Sequence, residues 1–224
     1  MIARTKLCNR ILPDYTLGEE IFNMVTHIVG GALGIVVLVL CVVKSAMLGN
    51  VWGVIGSSIY GASMIILYTS SSVYHGLKVG MAKKVMQVID HCTIYFLISG
   101  TYTPILFCAI RPISKLCAWA IFGFVWGLAI LACTLTAIDL KKYSAFSMIC
   151  YILMGWCIIF SGKIALMAMH KEGFLLLLAG GIVYSIGAVL YGLGKKTRYM
   201  HSVFHIFVVL GSLLQFLCVY YYIL

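Results

Sequence analysis

Apolar residues along this chain gather in long blocks separated by short polar links. Neither the stripe of a soluble amphipathic helix nor the alternation of a half-buried strand organises them. A block of ~20 residues is long enough to cross a bilayer as a helix. Seven blocks meet that length, at 22–47, 51–74, 86–107, 116–138, 143–162, 173–194 and 200–224. The pattern predicts an all-α polytopic membrane protein, a seven-helix transmembrane bundle over 22–224 preceded by a polar segment, 1–21. That segment has no apolar block ending in a small-residue cleavage site, so the first span is expected to be the insertion signal.

Composition agrees: 63% of residues are hydrophobic, 10% are charged, and the mean hydropathy is +1.08. The net charge of +10 does not point to nucleic acid, because the basic residues are spread over short links. Their side preference is more informative. Arg4, Lys6, Arg10, Lys78, Lys83, Lys84, Lys141, Lys142, Lys195, Lys196 and Arg198 fall on the side of the N-terminus, whereas Lys44, Arg111, Lys115, Lys163 and Lys171 fall on the other. The N-terminus is therefore expected in the cytoplasm and the C-terminus outside, in a multi-pass protein of the cell membrane. The nine cysteines include no C-x-x-C pair, and most lie within spans. They read as soft apolar packing residues rather than disulfides or metal ligands.

Chemistry-bearing residues cluster at one depth. His201 and His205 open the last span at i and i+4, so both rings leave the same helical face. Ser71 and His75 repeat that spacing at the end of the second span. Asp90, followed by His91, stands at the start of the third and is the one acid inside a predicted span. By alternation of the spans all of these fall near the cytoplasmic face. Ionisable side chains at such depth are costly unless they face the protein interior, a wet cavity or a metal. Three imidazoles from two helices match an open zinc site; Asp90 would then suit a proton acceptor and Ser71 a donor to a developing oxyanion. On spacing alone two other readings stand beside this one. The histidines can simply bond across helices, with Asp90 paired to Lys83 or His91, and His91 competes with His75 as third ligand. His27 reads as an interfacial histidine bonded to a neighbouring helix, or as a support beside the site.

The remaining polar features read as scaffold. Gly30 with Gly34 and Gly123 with Gly127 have the spacing of close helix contacts. Pro104 should kink the third span, with neighbouring Ser and Thr covering the freed carbonyls. His170, Lys171 and Glu172 read as an outer loop.

Ser71-x-x-x-His75, Asp90-His91 followed by Ser99-Gly-Thr-Tyr-Thr-Pro104, and His201-Ser-Val-Phe-His205 running on to Gly211-Ser212 together resemble the bacterial hemolysin III family, which belongs with the progestin and adipoQ receptors and, more distantly, the alkaline ceramidases. The likeness extends to Glu19-Glu20, Asn23, Thr26-His27 and Gly155-Trp156, and so covers nearly the whole chain. It implies a seven-helix bundle with a cytoplasmic N-terminus, Zn2+ held by His75, His201 and His205, a supporting aspartate at Asp90 and the motif serine at Ser71. One departure is Gln215, where the family often has histidine. Three activities follow as expectations: a zinc-dependent amidase or esterase of membrane lipids serving lipid homeostasis, a non-enzymatic lipid sensor or receptor with a structural zinc, and a pore-forming cytolysin. Membrane lipids are the expected partners, with a homo-oligomer as a further expectation and no nucleic acid.

Overall fold

Side-chain caps, rather than the edges of the apolar blocks, set where three of the helices begin. The computed structural model describes residues 4–194 and 197–224, so Lys195 and Lys196 of the basic count lie outside the described residues. Helix α1 (Leu17–Met47) starts ahead of its apolar block because Thr16 and Glu19 form a reciprocal capping box. The Glu19 carboxylate accepts from the Thr16 N–H at 2.8 Å, and the Thr16 hydroxyl accepts from the Glu19 N–H at 3.3 Å. Glu19 and Glu20 thus belong to the helix and not to a polar tail. Helix α2 (Val51–Gly76) is capped by Asn50, and α3 (Met81–Pro104) follows a short link. Helix α4 (Lys115–Ile138) is capped by Ser114; α5 (Ser144–Trp156), α6 (Gly162–Leu193) and α7 (Met200–Cys218) complete the chain. The described residues contain no strand.

Six helical runs are long and apolar enough to cross a membrane. The fifth, Ser144–Leu193, is 50 residues long and joins α5, a 3-10 turn at Cys157–Ser161 and α6. The outer loop expected around His170 is reduced to that single residue, whose φ of 56° and ψ of 171° interrupt α6. Helix persists across 163–169 because Ala165, Leu166, Met167, Ala168 and Met169 are strong helix formers that outweigh the isolated Lys163.

Pro104 ends α3, and the chain continues through a wide π turn, Ile105–Ile110. Proline supplies no N–H to the ladder, and widening of the next turn accommodates it. The hydroxyls of Thr101 and Thr103 donate to the Leu97 and Ser99 carbonyls, each at 2.8 Å. This run is the centre of the bundle: 78% of its apolar window is buried, against 28% for α1 and 22% for α4. Consecutive helices pack against each other, and α7 returns to α1.

Small residues set the closest approaches. A Cβ on Gly30 would meet the Tyr68 ring at 2.5 Å, and one on Gly56 would meet the Pro104 backbone at 2.8 Å. The spacing of Gly30 and Gly34 therefore marks a real contact between α1 and α2. Gly123 and Gly127 do not repeat it, because nothing lies within 4 Å of either. Their face of α4 points outward. Ser212 ties α7 inward, bonding the Tyr68 hydroxyl at 2.6 Å and the Tyr184 hydroxyl at 2.7 Å. All nine cysteines are free.

The segment before α1 is strapped across one end of the bundle. The Thr5 N–H donates to Asp139 Oδ2 at 2.7 Å, Arg4 Nε to the Ile138 carbonyl at 2.9 Å, and Lys84 Nζ to the Cys8 carbonyl at 2.6 Å. The N–H of Thr5, with that of Lys142, holds the Asp139 carboxyl below the usual aspartate range. A depressed carboxyl contributes stability that is present above its unfolded pKa and is lost as pH falls through the folded value. Protease cleavage within 4–16 should therefore be slow at neutral pH, accelerate only below the ordinary aspartate range, and be fast at neutral pH in Asp139→Ala; timed digestion of the reconstituted protein checks this. Separately, Gly56→Ala should destabilise the bundle by about 1–3 kcal/mol, since its neighbour is backbone and cannot rotate away, and thermal unfolding in detergent reads that loss.

Candidate metal centre

Two helices present three nitrogen atoms to one another at the strapped end of the bundle. His75 lies in the last turn of α2, and His201 and His205 lie in the first turns of α7. His201 Nε2 is 3.3 Å from His75 Nε2 and 3.1 Å from His205 Nε2. Ligand atoms of all three residues fall within 4.8 Å of one another. Two nitrogens bound at ~2.0–2.1 Å to a tetrahedral ion stand about 3.3 Å apart, so the observed spacing suits coordination.

The far side of each ring shows which atoms face inward. His75 Nδ1 is 2.6 Å from Glu20 Oε2, and the other oxygen of Glu20 pairs with Lys83 Nζ at 2.7 Å. His205 Nδ1 donates to the Asn23 carbonyl at 3.2 Å, while the Asn23 side chain accepts from the Ser202 hydroxyl at 2.6 Å. With Nδ1–H committed outward in both rings, their Nε2 lone pairs point towards the same small space. Lone pairs brought together in this way repel unless the Nε2–H of His201 or a metal ion lies between them. A carboxylate or carbonyl behind a ligating histidine is the usual means of fixing its tautomer and orientation. His201 is fixed by packing instead, since its ring stacks on Tyr15 with centroids 5.1 Å apart and planes 10° from parallel.

The start of α7 is placed by α1. Glu19 Oε1 accepts from the Tyr199 N–H at 2.6 Å, and Tyr199, at φ 60°, turns the chain into α7. The same residue that caps α1 thereby sets where His201 enters the bundle.

His91 does not join the cluster. Its Nδ1 donates to the Gln87 carbonyl at 2.8 Å and lies 3.8 Å from Asp90 Oδ2. Asp90 and His91 both line the cavity with Ser71, His201 and His205, but the ligand atoms that converge are those of His75, His201 and His205. Nor does Lys83 reach Asp90. It is buried at 2% exposure, pairs with Glu20 and caps the His75 and Leu77 carbonyls. Ser71 and Asp90 both stand on the cavity wall.

His27 stacks on His205 with centroids 3.7 Å apart, and neither of its ring nitrogens has a partner among the described residues. It supports the centre through its ring rather than through a bond to a neighbouring helix. Glu20 is the functional residue that sequence reasoning left in the polar tail. A signal was present: Glu20, Asn23 and His27 stand at i, i+3 and i+7, one face of one helix.

His201 and His205 open on a cavity of about 590 Å³, within the range of small-ligand sites. Towards the strapped end its wall includes Arg10, Gln87 and Lys141. In its depth it is lined by Ile94, Leu97, Ile105, Leu177 and Val208, and Gln215 stands among them. Gln215 Nε2 donates to the Leu177 carbonyl at 3.0 Å, and Oε1 has no partner among the described residues.

Fold and site together define an all-helical, multi-pass membrane protein with a buried three-histidine centre able to hold a metal ion. A sequence model described as "Haemolysin-III related" matches residues 15–216. The chain is 37% identical to Hemolysin-3 of Bacillus cereus over 207 residues, 92% of each protein. It is 36% identical over 208 residues to the Hemolysin-3 homolog of Bacillus subtilis (strain 168), covering 93% of this chain and 96% of the relative. The chain belongs to the haemolysin III family.

If Glu20 orients His75, then Glu20→Gln should weaken metal binding about 10–100-fold while leaving the fold intact. Competition with a chromophoric chelator measures it, with His75→Ala as the variant that loses the site.

Proposed function

We propose that this protein is a zinc-dependent hydrolase of a membrane-lipid amide or ester, acting in lipid homeostasis at the cell membrane. The carrying observation is that an apolar cavity reaches His201 and His205 of the three-histidine cluster, with Asp90 and Ser71 also on its wall. Zinc is the metal because three neutral imidazoles with a position left open match its catalytic sites. His75, His201 and His205 would hold the ion, which when bound lowers the pKa of water and polarises a carbonyl.

The chain's own residues supply the rest. Apolar side chains from α3, α6 and α7 accept an acyl chain and exclude bulk water from the depth of the cavity. Asp90 accepts a proton from the attacking water and returns it to the leaving amine or alcohol. The Ser71 hydroxyl donates to the carbonyl oxygen as negative charge grows there. Glu20 and Asn23 keep His75 and His205 in the required tautomer.

The topology belongs to the same proposal. The N-terminus is cytoplasmic, the 50-residue run Ser144–Leu193 crosses twice with its reversal at His170, and the C-terminus lies outside. About 75 Å of continuous helix would greatly exceed a ~30 Å hydrocarbon core, which supports two crossings.

A second reading has one observation in its favour. The cluster and its partners link α1, α2 and α7 through Glu20, Asn23 and the three histidines, as a structural zinc in a lipid sensor would require.

Purified protein incubated with a panel of ceramides and phospholipids should release fatty acid, and Asp90→Asn should abolish release while retaining one equivalent of zinc. Undiminished turnover by Asp90→Asn removes Asp90 from the mechanism. Zinc at full stoichiometry, with no release from any lipid by the wild-type protein, selects the sensor.

A further inference from the structure

At the strapped end of the cavity stands a side chain that neither the fold nor the metal centre uses. Arg10 is 7% exposed, and its Nε and Nη1 are buried with no acceptor among the described residues. Its backbone is fixed, because the 3-10 turn Leu7–Asn9 ends with the Arg10 N–H bonded to the Leu7 carbonyl at 3.2 Å. Lys84 and Asp139 hold the preceding residues from either side. The acid that would be its natural partner is already engaged: Asp139 Oδ2 takes the Thr5 N–H and Oδ1 takes the Lys142 N–H at 3.1 Å. No ion pair to Arg10 occurs among the described residues.

Arg10 lines the same cavity as His201 and His205, and Lys141 joins it there. Two guanidinium donors and an ammonium around one space form a receptor for an oxyanion, and the planar fork of arginine matches the oxygens of phosphate. A buried guanidinium is costly without such a partner.

Order along the cavity identifies the end of the ligand that would meet them. Gln87 lies nearly a turn nearer the strapped end of α3 than Asp90 and lines the cavity together with Arg10 and Lys141, whose segments are held at that end. The apolar depth runs the other way, from His205 to Gln215, about 15 Å along α7. An acyl chain in the depth with its carbonyl beside the histidines therefore directs its headgroup at Arg10.

We propose that Arg10 and Lys141 form a phosphate subsite, so that the lipid processed by this protein carries a phosphorylated headgroup rather than a neutral one. The inference rests on the hydrolase reading only for the identity of that lipid as substrate. Binding without turnover tests the subsite itself.

The test is calorimetric titration of the full-length protein, in non-ionic detergent, with lysophosphatidic acid, with a monoacylglycerol of the same chain length, and with inorganic phosphate. The wild-type protein should bind lysophosphatidic acid about tenfold or more tighter than the monoacylglycerol, the scale of a charge-assisted hydrogen bond. Arg10→Gln should erase that difference and leave the monoacylglycerol unchanged, and Arg10→Lys should restore part of it. If Arg10→Gln fails to fold, the wild-type preference and Lys141→Gln still decide the matter. Equal wild-type affinity for the two lipids, or parallel loss of both in Arg10→Gln, overturns the subsite. Inorganic phosphate binding as tightly as the phospholipid overturns the headgroup assignment. A selective subsite in a protein that releases no fatty acid would stand while the hydrolase reading fell.

Discussion

Everything at the functional end of this protein depends on three imidazole nitrogens being held closer together than they would stay by themselves. Nε2 atoms 3.1 and 3.3 Å apart can share one proton from His201 in their neutral forms, which leaves the remaining lone pairs facing one another. The bundle maintains the arrangement by anchoring each ring from behind. A carboxylate holds one, a main-chain carbonyl holds the second, and a stacked phenol holds the third. Those anchors come from α1 and the residues just before it, an element that supplies none of the three histidines. The first helix is thus the jig in which the second and last are aligned.

The jig is itself polar, and its polar groups are used in pairs. Glu19 closes the capping box of α1 with one oxygen and receives the first N–H of the turn into α7 with the other. Glu20 divides its oxygens between His75 and Lys83. Adjacent carboxylates in a low-dielectric setting would be costly if either were left short of donors. Here each is bonded through both oxygens. Fixed charge at this end of the bundle therefore becomes a rigid frame.

Much of this was legible in the chain before any coordinates. Long apolar blocks announced the helices, and the alternation of spans put His75, Asp90, His201 and His205 at one depth. Depth is a one-dimensional property, and sequence records it well. Facing is not. Whether His75 or His91 turns towards His201 depends on how α2 and α3 are rotated in the bundle, which is set by contacts such as Gly56 against Pro104. Lys83 reads as an ordinary loop charge because its burial comes from Glu20, a residue 63 positions earlier that itself reads as tail. Gly123 and Gly127 have the spacing of a packing motif, yet the face they mark looks outward. Spacing specifies a smooth face without specifying what lies against it. The sixth helix was misplaced for a different reason: scattered charges suggested a loop where strong helix formers carried the helix on to His170.

The separation of the ligands along the chain bears on how the protein is made. His201 follows His75 by 126 residues, and α3 to α6 must be threaded into the bilayer between them. A nascent chain therefore carries Glu20 and His75 for most of its synthesis without the imidazoles that complete the set. An ion taken by this set could be captured only after the insertion of α7. It would lock early and late helices together, so that acquiring a metal would double as a checkpoint on completed biogenesis.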